Sequence, residues 1–116
     1  MSNLHKAFLG IVEQQGLPNS DKAHHPNLLC TEVKFSDRQY RFDFAWPYKK
    51  IAVELNGDIY SSKSGHNSIT GLQRDYEKLN HAQATGWIVL QFSTAMLRDK
   101  DYVASVVRRA FQERTQ

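Results

Sequence analysis

The sequence contains a single cysteine, Cys30, among its 116 residues. One thiol excludes an internal disulfide and any zinc site built from several cysteines, and it is typical of proteins in a reducing compartment. The sequence also lacks an apolar run long enough to cross a bilayer, and residues 1–16 lack the apolar segment and small-residue cleavage site of a secretory signal. We therefore expect a cytoplasmic protein with no membrane partner.

Internal repeats, low-complexity tracts and recognisable linkers are absent as well. A chain of 116 residues without these features predicts one domain, 1–116, with a modest core. Hydrophobic residues make up 41% of the chain and charged residues 23%, which is ordinary for a globular protein. The formal net charge of +3 is a mild basic bias that is compatible with an anionic partner.

Hydrophobic periodicity predicts helices and strands in a mixed α/β order. The first helix can be capped by Ser2 or Asn3 and should end at Gly16, and a second helix should begin at Leu72 and end at Gly86. Strands 29–35, 39–46, 51–55 and 87–92, a polar loop 56–70 and a last helix 101–114 complete the pattern. Because a helix separates the third strand from the fourth, we expect a central mixed sheet of about four strands flanked by helices.

Each predicted helix has one apolar side, which we expect to face the core. These sides comprise Leu4, Phe8, Ile11 and Val12 in the first helix, Leu72, Tyr76, Leu79 and Ala82 or Gln83 in the second, and Val103, Val106, Val107, Ala110 and Phe111 in the last.

The stretch RFDFAWPYKKIAVELNG, residues 41–57, reads as two strands joined by a turn. Side chains alternate along a strand, so one face would hold Tyr40, Phe42, Phe44 and Trp46 and the other Arg41, Asp43 and Ala45. A turn of two or four residues pairs Trp46 with Ile51 and makes the apolar faces of the two strands coincide. By the same counting, Asp43 lies opposite Glu54.

Two carboxylates opposite each other in a hairpin require a physical reason. Directly paired strand residues have Cβ atoms roughly 4.5–5.5 Å apart, and like charges there destabilise a sheet. Asp43 and Glu54 stay ionised together only if a cation lies between them; otherwise one of them takes up a proton. Oxygen ligands favour Mg²⁺ or Mn²⁺ over zinc. Because Ala45 and Ala52 leave room on this face, the pattern predicts a divalent metal site there.

These residues resemble the PD-(D/E)XK nuclease superfamily, and more specifically its small branch of very short patch repair (Vsr-like) endonucleases and stand-alone phage and prophage endonucleases. The matching blocks are RFDFAWP, KKIAVELNG, the pair Gly65-His66, RDYEKLN and GWIVLQF, which together span residues 38–98. The resemblance implies a restriction-endonuclease-like core and hydrolysis of DNA phosphodiester bonds with one or two Mg²⁺ (or Mn²⁺) ions. It also implies that Asp43, Glu54 and the backbone carbonyl of Leu55 bind metal.

One position departs from the superfamily pattern. The usual lysine two residues after the glutamate is replaced by Asn56, a candidate site residue that can coordinate a metal or form hydrogen bonds but cannot supply a cation or a general acid. Because Vsr-like enzymes use a histidine after the second strand, His66 is a substitute candidate for water activation or leaving-group protonation. Lys78 and Arg74 compete for the charge-stabilising role. Additional carboxylates, which related enzymes recruit from the first helix or first strand, could be Glu13 and Glu32.

DNA is the partner that the resemblance implies. Basic and aromatic side chains placed to contact it are Lys49, Lys50, Tyr60, Lys63 and Arg74. Junction, branched, nicked, mismatched and plain duplex DNA all remain open as substrates, in recombination or repair. A nucleic-acid-binding module that has lost turnover, or an RNA-directed or toxin-like nuclease, are the alternatives. The oligomeric state is open between monomer and homodimer, with junction cleavage favouring a symmetric pair.

Overall fold

In the computed structural model, which describes residues 1–36, 40–56 and 69–115, four strands form one mixed sheet with three helices packed on it. The helices are α1 (Asn3–Gln14), α2 (Ile69–Ala84) and α3 (Lys100–Arg114), and the strands are β1 (Cys30–Lys34), β2 (Arg41–Trp46), β3 (Ile51–Asn56) and β4 (Ile88–Ser93). The strand order is β1-β2-β3-β4. β1, β2 and β3 pair antiparallel, and β4 runs parallel to β3. The predicted mixed sheet of four strands flanked by helices is confirmed.

The ends of α1 and α2 follow the predicted capping residues. Ser2 is the N-cap of α1, and its side chain accepts a hydrogen bond from the amide of His5 at 3.2 Å. Gly16 (φ +63°) ends α1 and Gly86 (φ +92°) ends α2, both in the left-handed region. In each case the amide of the next residue bonds the carbonyl five residues back at 3.0 Å, which is the Schellman arrangement.

The hairpin of β2 and β3 has the predicted register. Trp46 pairs with Ile51 and Phe44 with Val53, across a four-residue connection that contains one turn of 3₁₀ helix. Lys50 closes this turn in the left-handed conformation, at φ +50°. The coincidence of the apolar faces therefore sets the register, as expected.

The sheet buries residues on both faces. On the side of α1 and α3 lies the main core, which includes Phe8, Ile11, Val12, Phe44, Trp46, Ile51, Val53, Phe92, Val103 and Val107. On the side of α2 lies a smaller cluster of Phe42, Ala45, Ala52 and Ala82. Both faces of β4 are packed, since Ile88 and Leu90 join the first cluster and Val89 joins the second.

The expectation that Phe42 shares a face with Phe44 and Trp46 is wrong. The ladder between β1 and β2 pairs Thr31 with Phe44 and Val33 with Phe42, and no pair is formed between them. At this gap Glu32 has a left-handed backbone, φ +52°. The alternation of side chains is interrupted there, so Phe42 packs with Ala45 on the α2 side, whereas Phe44 and Trp46 pack on the side of α1 and α3.

The inward side of α2 also differs from the predicted one. Leu72 and Tyr76 are 46% and 57% exposed, whereas Ala82 is 1% exposed. The side that meets the sheet contains Lys78 and Ala82, which lie on one helix face at i and i+4. Ala82 packs with Ala45 and Ala52, and a close approach of small side chains therefore determines which face of α2 turns inward.

The predicted loop 56–70 lies mostly outside the described residues, and α2 begins at 69, three residues earlier than expected. Among the residues that the structure describes, none of the helices has the length and hydrophobicity needed to traverse a bilayer.

Candidate active site

Asp43 lies where β2 and β3 stop pairing. The last pair of their ladder is Phe44 with Val53. Beyond it, the Asp43 carboxylate accepts a hydrogen bond from the amide of Leu55 at 2.7 Å, and the Asp43 amide donates to the Glu54 carboxylate at 3.3 Å. Hydrogen bonds between carboxylates and backbone amides thus continue the hairpin where the backbone pairs end, and each of the two acids bonds the opposite strand.

Glu54 is engaged from the side of α2. Its Oε2 lies 2.7 Å from Nζ of Lys78, in an ion pair whose two side chains are only 19% and 22% exposed. Burial raises the pKa of Glu54 above its ordinary value of 4.5; the Lys78 ammonium acts in the opposite direction, and the Asp43 charge adds to the increase. Lys78 also lies over the ring of Phe42, 5.9 Å from its centroid. A cation from α2 therefore stands beside the strand glutamate.

His5 approaches Asp43 from the opposite side, at the start of α1. Its Nε2 lies 3.6 Å from Asp43 Oδ1 and 3.4 Å from Glu32 Oε1. One ligand atom from each of these three residues lies within 4.8 Å of the other two. The other ring nitrogen of His5 is 2.6 Å from the hydroxyl of Ser2, and the ring packs on Phe44 with a centroid distance of 5.2 Å.

Sequence reasoning missed His5. Its signal was its spacing, since His5, Phe8 and Val12 fall at i, i+3 and i+7 on the buried side of α1. A histidine in an apolar stripe, three residues after a capping serine, faces the sheet and not the solvent.

The structure brings Glu32 into the site but not Glu13. Glu32 belongs to the group with His5 and Asp43, although its side chain is 57% exposed. Glu13 is exposed and lies eight residues further along α1 than His5, which corresponds to about 12 Å of helix axis. Of the two suggested additional acids, only Glu32 is close to Asp43.

Asn56 bonds toward β4 on one edge of β3, and Leu55 bonds toward β2 on the other edge. The amide group of Asn56 donates to Gln91 of β4 at 3.1 Å, so this residue braces the parallel strand pair. The N–H and C=O of one strand residue point to the same side, and the Leu55 N–H meets Asp43. The Leu55 carbonyl is therefore directed toward Asp43, as a metal ligand there would require.

The residues that were predicted to contact DNA do not all lie near the carboxylates. Lys49 and Lys50 lie in the turn at the other end of β3, and Lys50 precedes Glu54 by four residues, or about 13 Å of strand. The Lys50 ammonium donates to the carbonyl of Thr85 at 3.0 Å. These two lysines do not flank the carboxylates as expected, because the hairpin turn and the site lie at opposite ends of β3.

Arg74 is exposed one helical turn before Lys78 on α2. Tyr60, Lys63 and His66 lie outside the described residues.

The donor atoms fit a divalent cation. Asp43, Glu54 and Glu32 supply carboxylate oxygens, the donors preferred by Mg²⁺ and Mn²⁺, and the Leu55 carbonyl adds a further oxygen. On the α1 side, Nε2 of His5 is buried and has no hydrogen-bond partner, although it faces two carboxylates. Among these groups, the ligand atoms of His5, Glu32 and Asp43 lie within 4.8 Å of one another.

No family model and no curated protein matches this chain. Among solved structures, the chain is similar to one described as the catalytic domain of the homing endonuclease I-Bth0305I. The TM-score is 0.71 at 18% sequence identity, and the similarity covers 100% of both chains. The whole chain therefore shares the fold of an endonuclease catalytic domain.

Proposed function

We propose that this chain is a divalent-metal-dependent endonuclease that hydrolyses DNA phosphodiester bonds, of the PD-(D/E)XK type and its Vsr-like branch. The observation that carries the proposal is the set of contacts at the end of the β2–β3 ladder: the Glu54 carboxylate accepts from the Asp43 amide, the Asp43 carboxylate accepts from the Leu55 amide, and Lys78 pairs with Glu54. The likeness to an endonuclease catalytic domain over the full chain supports it.

Asp43, Glu54 and the Leu55 carbonyl would hold Mg²⁺ or Mn²⁺. The chemistry that such a metal would supply is polarisation of a phosphate oxygen and a lower pKa for a bound water molecule. Asp43 is fixed for this role by its 2.7 Å bond from the Leu55 amide. Glu54, which accepts a hydrogen bond from the Asp43 amide, would orient the attacking water.

Lys78 is our candidate for the role of the absent motif lysine. It comes from α2 instead of β3, yet its ammonium reaches Glu54 at 2.7 Å. A fixed positive charge beside the scissile phosphate would stabilise the negative charge that develops in the transition state. Asn56 is bonded to Gln91 and has no charge to offer. His66 remains a second candidate, for protonation of the leaving group.

Contacts to DNA would come from the side of α2 and the chain before it. Arg74 lies exposed one turn from Lys78, and Tyr60 and Lys63 belong to the preceding segment. We propose junction, branched, nicked or mismatched DNA as the substrate class, in phage or prophage recombination or repair in the cytoplasm. A junction would require two copies of the chain, because two strands must be cut.

The test is metal-dependent cleavage of a labelled panel: four-way junction, flap, nicked, mismatched and linear duplex DNA, and RNA. Wild type should cleave at least one DNA substrate with Mg²⁺ or Mn²⁺ and none with EDTA. Asp43→Asn and Glu54→Gln should each lose at least about 100-fold in rate and keep DNA binding. Glu77→Gln, an exposed carboxylate on α2, is the matched control and should cleave like wild type.

A nucleic-acid-binding module is the second candidate. Two observations favour it: Asn56 stands in the motif lysine position, and both Glu54 oxygens are already engaged, by Lys78 and by the Asp43 amide. Salt-dependent DNA binding without cleavage of any substrate, with any metal, would establish this alternative. Cleavage of RNA alone would instead identify an RNA-directed nuclease.

A further inference from the structure

We propose that the α1 side of the site is a separate cation position, formed by His5, Glu32 and Asp43, which binds Mn²⁺ and other first-row transition metals more tightly than Mg²⁺. The proposal shares Asp43 with the proposed nuclease site and otherwise stands on different residues. It adds a nitrogen ligand, Nε2 of His5, that lies outside the sequence blocks resembling the nuclease superfamily.

The geometry of the three side chains is that of ligands around a common point. His5 Nε2 lies 3.4 Å from Glu32 and 3.6 Å from Asp43, and the three ligand atoms are within 4.8 Å of one another. These separations are longer than those of good hydrogen bonds but suit donor atoms that each bind one ion at about 2.0–2.2 Å. The Nε2 atom is buried without a hydrogen-bond partner, so nothing else in the described residues uses it.

The Ser2 hydroxyl contacts Nδ1 of His5, so Nε2 is the nitrogen that faces the two carboxylates. The hydroxyl lies 2.6 Å from Nδ1 and also accepts the His5 amide hydrogen at 3.2 Å. In the tautomer with hydrogen on Nδ1, the hydroxyl oxygen accepts from Nδ1–H and the lone pair lies on Nε2, as the proposal requires. Ligating histidines are typically held in this way, with the other ring nitrogen donating to a fixed acceptor.

Two carboxylates and an imidazole lone pair that face one another repel each other electrostatically when no cation lies between them. Asp43 Oδ1 is available for that cation because its hydrogen bond from Leu55 uses Oδ2. Glu32 is 57% exposed, so a solvated ion can reach the cation position. Glu54 is held on the opposite side by Lys78, and the two positions therefore meet only at Asp43.

The ligand set determines the metal preference. Mg²⁺ favours oxygen donors and keeps several of its waters, whereas an imidazole nitrogen raises the affinity for Mn²⁺, Co²⁺ and Zn²⁺ in the general order of divalent metals. A position with one nitrogen and two carboxylates should thus bind Mn²⁺ well below the concentration at which it binds Mg²⁺.

The experiment is titration of the metal-free protein with Mn²⁺, followed by the electron paramagnetic resonance signal of the free ion, with no DNA present. His5→Gln removes the nitrogen ligand and should weaken Mn²⁺ binding at least about 10-fold, with less than about a threefold change for Mg²⁺ measured by calorimetry. Ser2→Ala should weaken Mn²⁺ binding about 10-fold through the orientation of the ring. His25→Gln is the control and should bind like wild type, because its Nδ1 accepts from the Asn27 amide in an exposed loop.

Circular dichroism and thermal unfolding establish that each variant is folded. Unchanged Mn²⁺ affinity in folded His5→Gln would overturn the inference and would mean that His5 donates a hydrogen to the carboxylates instead. Equal losses of Mn²⁺ and Mg²⁺ affinity would also overturn it. Failure of the nuclease proposal has a different signature: wild type would cleave no DNA substrate with any metal, or Asp43→Asn or Glu54→Gln would cleave fully, whatever the Mn²⁺ titration of His5→Gln shows.

Discussion

Replacing Lys78 with methionine tests the electrostatic description of the site most directly. The Lys78–Glu54 pair joins α2 to β3 at 2.7 Å with both side chains largely buried. Methionine retains an aliphatic stem that can pack over Phe42, so the main loss in Lys78→Met is the positive charge. The Glu54 carboxylate then has no cation beside it and stays in a poorly solvated position.

The expected loss of stability lies between two reference cases. Removing one partner of a fully buried pair costs about 3–5 kcal/mol, and an exposed pair contributes about 0–1 kcal/mol. With about a fifth of each side chain exposed, we expect Lys78→Met to lose about 2 kcal/mol. An unfolding entropy of about 2.1 cal/mol/K per residue gives about 0.24 kcal/mol/K for 116 residues, so Tm should fall by about 8 °C.

The loss of stability in Lys78→Met should increase as pH rises. Burial already raises the pKa of Glu54 above 4.5, and without Lys78 it should rise further. In the interval between the unfolded and folded pKa values, the folded state binds more protons than the unfolded state, so the free energy of unfolding falls as pH rises. The difference between Lys78→Met and wild type should therefore be smallest at acidic pH and grow as pH rises above 4.5.

Urea denaturation followed by circular dichroism at several pH values measures this difference. Adding Glu54→Gln to Lys78→Met removes the uncompensated charge and should recover at least about 1 kcal/mol at neutral pH. Arg109→Met, which breaks an exposed pair with Glu113, is the control and should change stability by less than about 0.5 kcal/mol. A loss in Lys78→Met that is independent of pH, or that persists in the double variant, would refute the reasoning.

Two further predictions concern backbone groups. Asp43→Asn keeps an acceptor for the Leu55 amide, so its free energy of unfolding should lie within about 1 kcal/mol of wild type. Asp43→Ala leaves that amide unpaired and should be less stable by a further amount of about 1–3 kcal/mol. Urea denaturation measures both variants, and equal stabilities would contradict the prediction. Gly86→Ala places a side chain at φ +92° and should lower the free energy of unfolding by about 1–2 kcal/mol. Gly10→Ala lies inside α1 with open space around it and should raise the free energy of unfolding by up to about 1 kcal/mol. Thermal unfolding measures both variants, and a loss of stability in both would show that the backbone conformation is not the cause.

The sequence alone was sufficient for the features that depend on local periodicity. Strand alternation and the length of the connection predicted the Trp46–Ile51 pair, and the approach of Asp43 to Glu54 follows from the same counting. The glycines that end α1 and α2 were predictable because few other residues adopt a left-handed backbone at that position.

Features that depend on contacts between distant segments were not predictable. The face of Phe42 depends on the interruption of the β1–β2 ladder at Glu32, which leaves no mark on hydrophobic periodicity. The inward side of α2 depends on how closely Ala82 approaches the alanines of the sheet, a packing effect that overrides the larger apolar surface of Leu72 and Tyr76. His5 enters the site from a helix far away in sequence.

The origin of the cation beside Glu54 has a consequence for recognising similar proteins. A pattern written along one strand places the lysine two residues after the glutamate, and in this chain that position is Asn56. The ammonium arrives from the crossover helix, 24 positions downstream of the glutamate. A sequence search that requires the two residues to be near neighbours would miss chains built in this way. A structural template that fixes the positions of the two atoms, and places no limit on their separation along the chain, would find them.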